Sequence, residues 1–206
     1  MPGAYRTDAE FRAYLQEFFL PNATDAELDN VLTLYSSDPT QGSPYGTGAN
    51  NTLSPESKRM AAFLGDLKFH GTRRFFLNQV SGKQNTWSYC TLRLFPSLFV
   101  QVISSRTHVN SHIVSKRDKL LPVLGSAHSS DLPYIYGGAD LTDYLINFVT
   151  NLNPNGPSLP YWPQYNTSSR QLLTLYDTPV PTNITLDTFR EEGMQLLTEL
   201  LLKNPL

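Results

Sequence analysis

A chain of 206 residues is long enough to bury a sizeable core, and 40% apolar with 17% charged residues is a folded composition, not a disordered one. A net charge of -2 with scattered basic residues excludes an electrostatic footprint for nucleic acid, and the most apolar window, "LRLFPSLFVQVI", is too short for a transmembrane segment. The N-terminus "MPGAYRTDAEF" has no signal-peptide pattern, and the single cysteine, Cys90, cannot close an internal disulfide.

Two look-alike units open the chain, "TDAEFRAYLQEFF" and "TDAELDNVLTLY". In each a threonine, Thr7 or Thr24, stands three residues ahead of a glutamate, Glu10 or Glu27, which is the spacing of a capping box. Phe11, Tyr14, Leu15 and Phe18 then form one apolar stripe at helical spacing, and Leu28, Val31, Leu32 and Tyr35 form another. The next stretch, "SSDPTQGSPYGTGANNTL", is dense in Gly, Pro, Ser and Asn and reads as a long loop. A third helix is expected in "SPESKRMAAFLGDLKF", with Ser54 as cap, Pro55 in the first helical position and Met60, Phe63, Leu64 and Leu67 inward. It continues through "RRFFLNQVS".

"NTWSY" reads as a strand and "LLPVLG" as a second, whose lack of polar relief fits a strand covered on both faces. "ADLTDYLINFVTNLNP" predicts a helix with Leu141, Tyr144, Leu145 and Phe148 inward, and "PNGPSLPYWPQY" a Pro-rich surface connection. The last predicted helix runs from an Asp187 cap to Asn204-Pro205 with Phe189, Leu197, Leu200 and Leu201 buried. Sequons at Asn22, Asn50, Asn166 and Asn183 are candidate N-glycosylation sites and suit a secreted protein. No CxxC or His/Cys cluster exists to hold zinc, and no cofactor is expected.

One histidine stands apart. His128, in "LPVLGSAHSSDLPYIYGG", follows directly on the second predicted strand, where open α/β sheets gather their chemistry. A neutral imidazole there can take a proton from a serine hydroxyl while a carboxylate fixes its other nitrogen. A structural role for a lone histidine stays open at this point.

Read together, "TDAEFRAYLQEFF", "DPTQGSPYGTG", "LSPESKRMAAFLGDLKFHGTRRFFL", "TWSY", "SKRDKLLPVLGSAHSSDL", "YWPQY" and "NITLDTFREEGMQLLTELLLKNP" resemble the C-terminal portion of fungal type-B carboxylesterases and lipases. Nearly the whole chain is covered. The resemblance implies an α/β fold, here the mostly helical C-terminal part of an α/β-hydrolase with only a few strands of the central sheet. It implies that His128 is the general base of a Ser-Glu-His triad, that the substrate of the full-length parent is an ester or lipid, and that the parent is secreted.

The partners of His128 are not found in the chain. Hydrolases of this fold order their triad as nucleophile, acid, histidine, so both should lie upstream. No GxSxG occurs, and the nearest string, "GSPYG", places Ser43 in a Pro-rich loop. The family's acid would stand just ahead of the segment that "TDAEFRAYL" resembles, and Met1 lies almost at that point, as a truncated gene product would. Ser129 and Ser130 are sequence neighbours of His128 with no reason to present their hydroxyls to it, and Asp131 suits a local backbone bond better than a triad. The chain alone is therefore expected to be an inactive fragment.

Residues 90–113, "CTLRLFPSLFVQVISSRTHVNSHI", interrupt the family pattern and contain no acidic residue and no glycine. If Cys90 is encoded TGT and Ile113 ATA, the segment carries intron boundaries, and its excision would leave "WSY(L/F)SKRDK" in frame. A retained intron is one expectation and a genuine inserted strand or flap the other. His108 and His112 find no other donor at ligand spacing, and His70 reads as structural. The whole chain thus reads as a partial type-B carboxylesterase domain spanning 1–206, or, in a second reading, as a non-catalytic esterase-like binding module. The two differ in packing. A retained module closes its own core, whereas a fragment leaves apolar helix faces without partners.

Overall fold

The computed structural model describes residues 6–92, 135–137, 140–176 and 181–205. They fall into two compact units, one formed by the residues up to Gln84 with those from Thr188 onward, the other by Asn85–Asp187.

In the first unit, α1 (Asp8–Phe18) and α2 (Asp25–Leu34) both begin with the reciprocal bonds that the sequence spacing calls for. Glu10 N–H donates to Thr7 Oγ1 at 3.3 Å and Thr7 N–H to Glu10 Oε2 at 3.1 Å; the Thr24–Glu27 pair repeats this at 3.3 and 2.8 Å. Four orphan amide donors are thereby satisfied before either helix has made a tertiary contact. Phe11, Leu15, Leu28 and Val31 are buried as expected, but Phe18 is exposed. Leu20 takes its place, because the chain turns after α1 with Leu20 N–H donating to Leu15 O at 2.8 Å.

The third helix starts later than Ser54. Ser57 Oγ accepts from the amides of Leu53 and Ser54 and donates to Ser54 O, which holds the approach as a turn. Then α3 (Ser57–Gly65) passes through a π-helical turn at Asp66–His70 into α4 (Gly71–Val80) with the backbone right-handed throughout. Gly42 lies so close to α3 that a Cβ there would stand 2.6 Å from Lys58 Cβ and 2.7 Å from its carbonyl carbon.

The terminal helix of this unit, labelled α6 below, begins at Glu191 and not at Asp187, a correction with a visible cause. Arg190 adopts the left-handed conformation at φ 49°, so a helix cannot run through it. Phe189, expected inward, is exposed at 46%, and Met194, Leu197 and Leu200 make the buried face. Leu197 and Leu200 join Phe11, Leu15, Leu28, Val31, Phe63 and Leu67 in one core. At its centre Phe63 meets the rings of Tyr35, Phe19 and Phe11 edge-on at 5.5, 5.6 and 5.8 Å.

The second unit holds β1 (Tyr89–Leu92), α5 (Asp140–Asn151), β2 (Gln171–Tyr176) and β3 (Asn183–Leu186); α6 (Glu191–Lys203) follows in the chain. The sheet order is β1-β2-β3, parallel between β1 and β2 with Tyr89 opposite Leu173, antiparallel between β2 and β3 with Thr174 opposite Asn183. Among the described residues this is a small mixed sheet with helices outnumbering strands, compatible with part of an α/β fold. The strand expected at "NTWSY" forms four residues later, at Tyr89–Leu92, and "LLPVLG" lies outside the described residues.

Leu141 and Tyr144 of α5 are buried against Trp162, Leu173 and Leu175. Leu145 and Phe148 were expected beside them but are 37% and 39% exposed, although Phe148 still meets Trp87 edge-on at 5.8 Å. The Pro-rich stretch is more than a surface connection. Trp162 and Tyr165 are buried in it, the Trp162 indole donates to Ser88 O at 3.2 Å, and Tyr165 N–H to Thr86 O at 2.8 Å.

Candidate functional site

In an open α/β sheet the reactive loops leave the C-terminal ends of parallel strands. Here those ends are Leu92 and Tyr176, which are register partners on β1 and β2. The stretch between β1 and α5 carries His128, Ser129, Ser130 and Asp131, as well as His108 and His112, and all of these lie outside the described residues. What is described is the scaffold on either side of that stretch.

That scaffold is tightly specified. Leu172, Leu173, Thr174 and Leu175 are buried in succession, the signature of a strand covered on both faces. The hydroxyls of Thr174 and Thr185 meet across the antiparallel pair at 2.6 Å. Tyr144 donates to Pro160 O at 2.6 Å with its ring edge-on to Trp162 at 5.2 Å, and Asn155 brackets Trp162 by accepting from its amide at 2.7 Å and donating to its carbonyl at 2.9 Å. α5 and the Pro-rich segment are thus clamped to the same face of β2.

The remaining candidates are spread out. Ser43 sits in the loop ahead of α3, its amide donating to Lys58 O at 3.0 Å, far in character from a strand-to-helix elbow. His70 closes the π-helical turn and is partly buried, and Cys90 lies partly buried on β1. Asn22, Asn50, Asn166 and Asn183 are all exposed. Asn166 Oδ1 accepts from the amides of Ser168 and Ser169 at 3.0 and 2.7 Å, and Asn183 Oδ1 from Ile184 N–H at 2.8 Å. Among the described residues no three His, Cys, Asp or Glu side chains converge as metal ligands do, and no helix is long and apolar enough to cross a membrane.

Three buried polar groups went unread in the sequence. Asp66, at 1% exposure, accepts from Tyr35 Oη at 2.9 Å and from Arg190 Nε at 2.7 Å. The Arg190 guanidinium lies over the rings of Tyr35 and Tyr45 at 4.6 and 5.2 Å. Burial, reinforced by the Asp66 charge, pushes both phenols well above the usual tyrosine range. Lys58 donates to Thr47 Oγ1, Gly48 O and Asn50 O at 2.7, 2.7 and 3.2 Å, and burial pulls its ammonium pKa down. Arg59 donates to Tyr35 O, to Leu32 O at 3.0 Å, and to Asp8 and Glu56 at 2.5 and 3.0 Å. Asp66 had a signal: a charged residue between Phe63 and Leu67, on the inward face of its helix, must find a buried partner. These groups tie loops and helix ends together. None presents a nucleophile with a base beside it.

No family model matches the chain. Curated relatives do. It is 36% identical over 170 residues to Lipase 2 of Diutina rugosa, covering 80% of this chain and 26% of that protein. It is 34% identical over 183 residues to Secreted lipase 1 of Botryotinia fuckeliana, covering 82% and 28%. It is 29% identical over 204 residues to Secreted triacylglycerol lipase LIP1 of Gibberella zeae, covering 93% and 30%. The chain thus spans less than a third of the length of these curated relatives.

Proposed function

The chain being a portion of a fungal lipase or carboxylesterase, we propose that it supplies the histidine of a serine ester hydrolase and, alone, hydrolyses nothing. The similarity to lipases along most of the chain carries this reading. The portion is the C-terminal one of an α/β-hydrolase, with His128 as general base. In the whole enzyme His128 takes the proton of a serine hydroxyl as that oxygen bonds to the ester carbonyl carbon, and returns it to the departing alcohol. A water then gives its proton to the same nitrogen as its oxygen bonds to the acyl carbon, and the imidazole passes that proton to the serine oxygen as the serine–acyl bond breaks and the acid leaves.

The serine, the acid and the oxyanion-binding loop belong to the rest of such an enzyme. Loss of a triad member costs orders of magnitude in rate, and what normally survives depends on an oxyanion hole. The parent is secreted and takes lipid esters, and the exposed sequons at Asn22, Asn50, Asn166 and Asn183 accept glycans in that setting. Residues 90–113 are an interruption of the parent sequence, either translated intron or inserted segment.

The purified chain offered a nitrophenyl butyrate ester is expected to release no nitrophenol above the buffer rate. Turnover that disappears in His128→Ala would refute the reading.

A further inference from the structure

The Pro-rich segment of the second unit contains the one Asn-Gly pair of the chain, Asn155-Gly156. An asparagine side chain is open to attack by the backbone nitrogen of the residue that follows it. Glycine leaves that nitrogen unhindered, a side chain such as that of Leu152 after Asn151 hinders it, and Pro154 after Asn153 has no N–H to give up. At the Asn-Gly pair the Gly156 nitrogen joins Asn155 Cγ and loses its hydrogen while the Cγ–Nδ2 bond breaks, and ammonia leaves. Water then opens the cyclic imide at one carbonyl or the other, giving aspartate or, with the main chain rerouted through the side-chain carbon, isoaspartate.

Packing accounts for both residues of the pair. A Cβ at position 156 would stand 2.6 Å from Asn147 Nδ2, which donates to Pro154 O at 3.3 Å. Asn155 acts as donor and acceptor at once. Its Oδ1 accepts from the Trp162 amide at 2.7 Å, and its Nδ2 donates to Trp162 O at 2.9 Å and to Asn153 Oδ1 at 3.0 Å. Both Nδ2 hydrogens are thus engaged, so ammonia cannot leave without breaking the bonds to Trp162 and Asn153. An aspartate at 155 would have no hydrogen to offer Trp162 O and would set a carboxylate oxygen against it. The residue so held anchors the unit: Trp162 is buried, its indole donates to Ser88 O at 3.2 Å, and its ring meets Tyr144 at 5.2 Å.

We infer that Asn155 is a deamidation site guarded by its bonds to Trp162 and Asn153, and that its conversion in opened chains makes the opening irreversible. Chemical change of an open state, where it outpaces reclosure, converts a reversible excursion into permanent loss of fold. The site makes no use of His128 and stands whether or not the chain takes part in ester hydrolysis.

The full chain is incubated at pH 8 with and without guanidinium chloride, and position 155 is read by peptide mass spectrometry for the mass gain of amide to acid. Conversion is expected to be roughly tenfold faster, or more, in denaturant than in the native chain. Asn153→Ala removes one acceptor at an exposed position and should speed the native reaction severalfold with the far-ultraviolet spectrum unchanged; Asn153→Asp keeps an acceptor oxygen and should restore the slow rate. Should Asn153→Ala unfold the chain, Asn155→Asp decides, with a melting temperature several degrees below the parent and a lower refolding yield expected. Equal rates with and without denaturant, a native rate indifferent to a folded Asn153→Ala or not restored by Asn153→Asp, or an Asn155→Asp chain that melts and refolds like the parent would each overturn the inference.

Discussion

Asp66 has two partners from distant parts of the chain, Tyr35 and Arg190, and is itself almost fully buried. Removing one member of a buried charged pair leaves the other desolvated, which costs about 3 kcal/mol. Asp66→Ala should therefore lower the urea unfolding free energy by about 3 kcal/mol, and Arg190→Ala added to it should cost less than it does alone. A loss below about 1 kcal/mol would show that the pair is solvated in solution. Residue by residue, the sequence was most legible where side chains act on their neighbours, as Thr7 and Thr24 do. His128 was singled out by its place after an apolar run, but the role proposed for it came from the resemblance and not from its sequence neighbours. Asp66 and Lys58 were missed because their acceptors and donors lie in segments that no local pattern connects.

At the scale of elements, the ends of α2 and α6 are joined by Glu27, whose Oε1 accepts from Lys203 Nζ at 2.6 Å while Oε2 accepts from the Thr24 amide at 2.8 Å. The lysine bond, followed by the Thr24 amide, lowers the Glu27 pKa to about 2. Between its ordinary value of 4.5 and about 2 the unfolded chain binds more protons, so stability falls as pH drops through that window. A melting-temperature series from pH 6 to pH 2 is expected to show a shallower acid limb in Glu27→Gln; an identical limb would place the stabilising carboxylate elsewhere. Helices α1 and α2 were legible because period and caps agree, and α5 by its period. β2 was not, because a strand buried on both faces has no alternation to read, and β3 is four residues long beside it. The start of α6 was misplaced because Arg190 is bent out of the helix by a partner more than a hundred positions away.

For the whole molecule, the division into two units explains why resemblance reached further than pattern. The first unit is built from both ends of the chain, and its core mixes Phe11, Leu28 and Phe63 with Leu197 and Leu200. Periodicity reports which face of a helix is apolar and is silent on which helix covers it. Leu141 and Tyr144 of α5 were visible as apolar residues in the sequence, but only the fold shows that Leu173 and Leu175 of β2 lie against them.

That discontinuous core also sets an order of events on the ribosome. The helices of the first unit emerge early, yet Gly193, whose neighbour is the Tyr35 ring, and Leu197 are translated only after the whole second unit. Nascent chains arrested short of Glu191 should thus hold Phe63 and Leu28 uncovered and be cut rapidly by a pulse of thermolysin, while released chains resist. The wait for the final helix is a window in which a chaperone that captures aromatic segments would find its client.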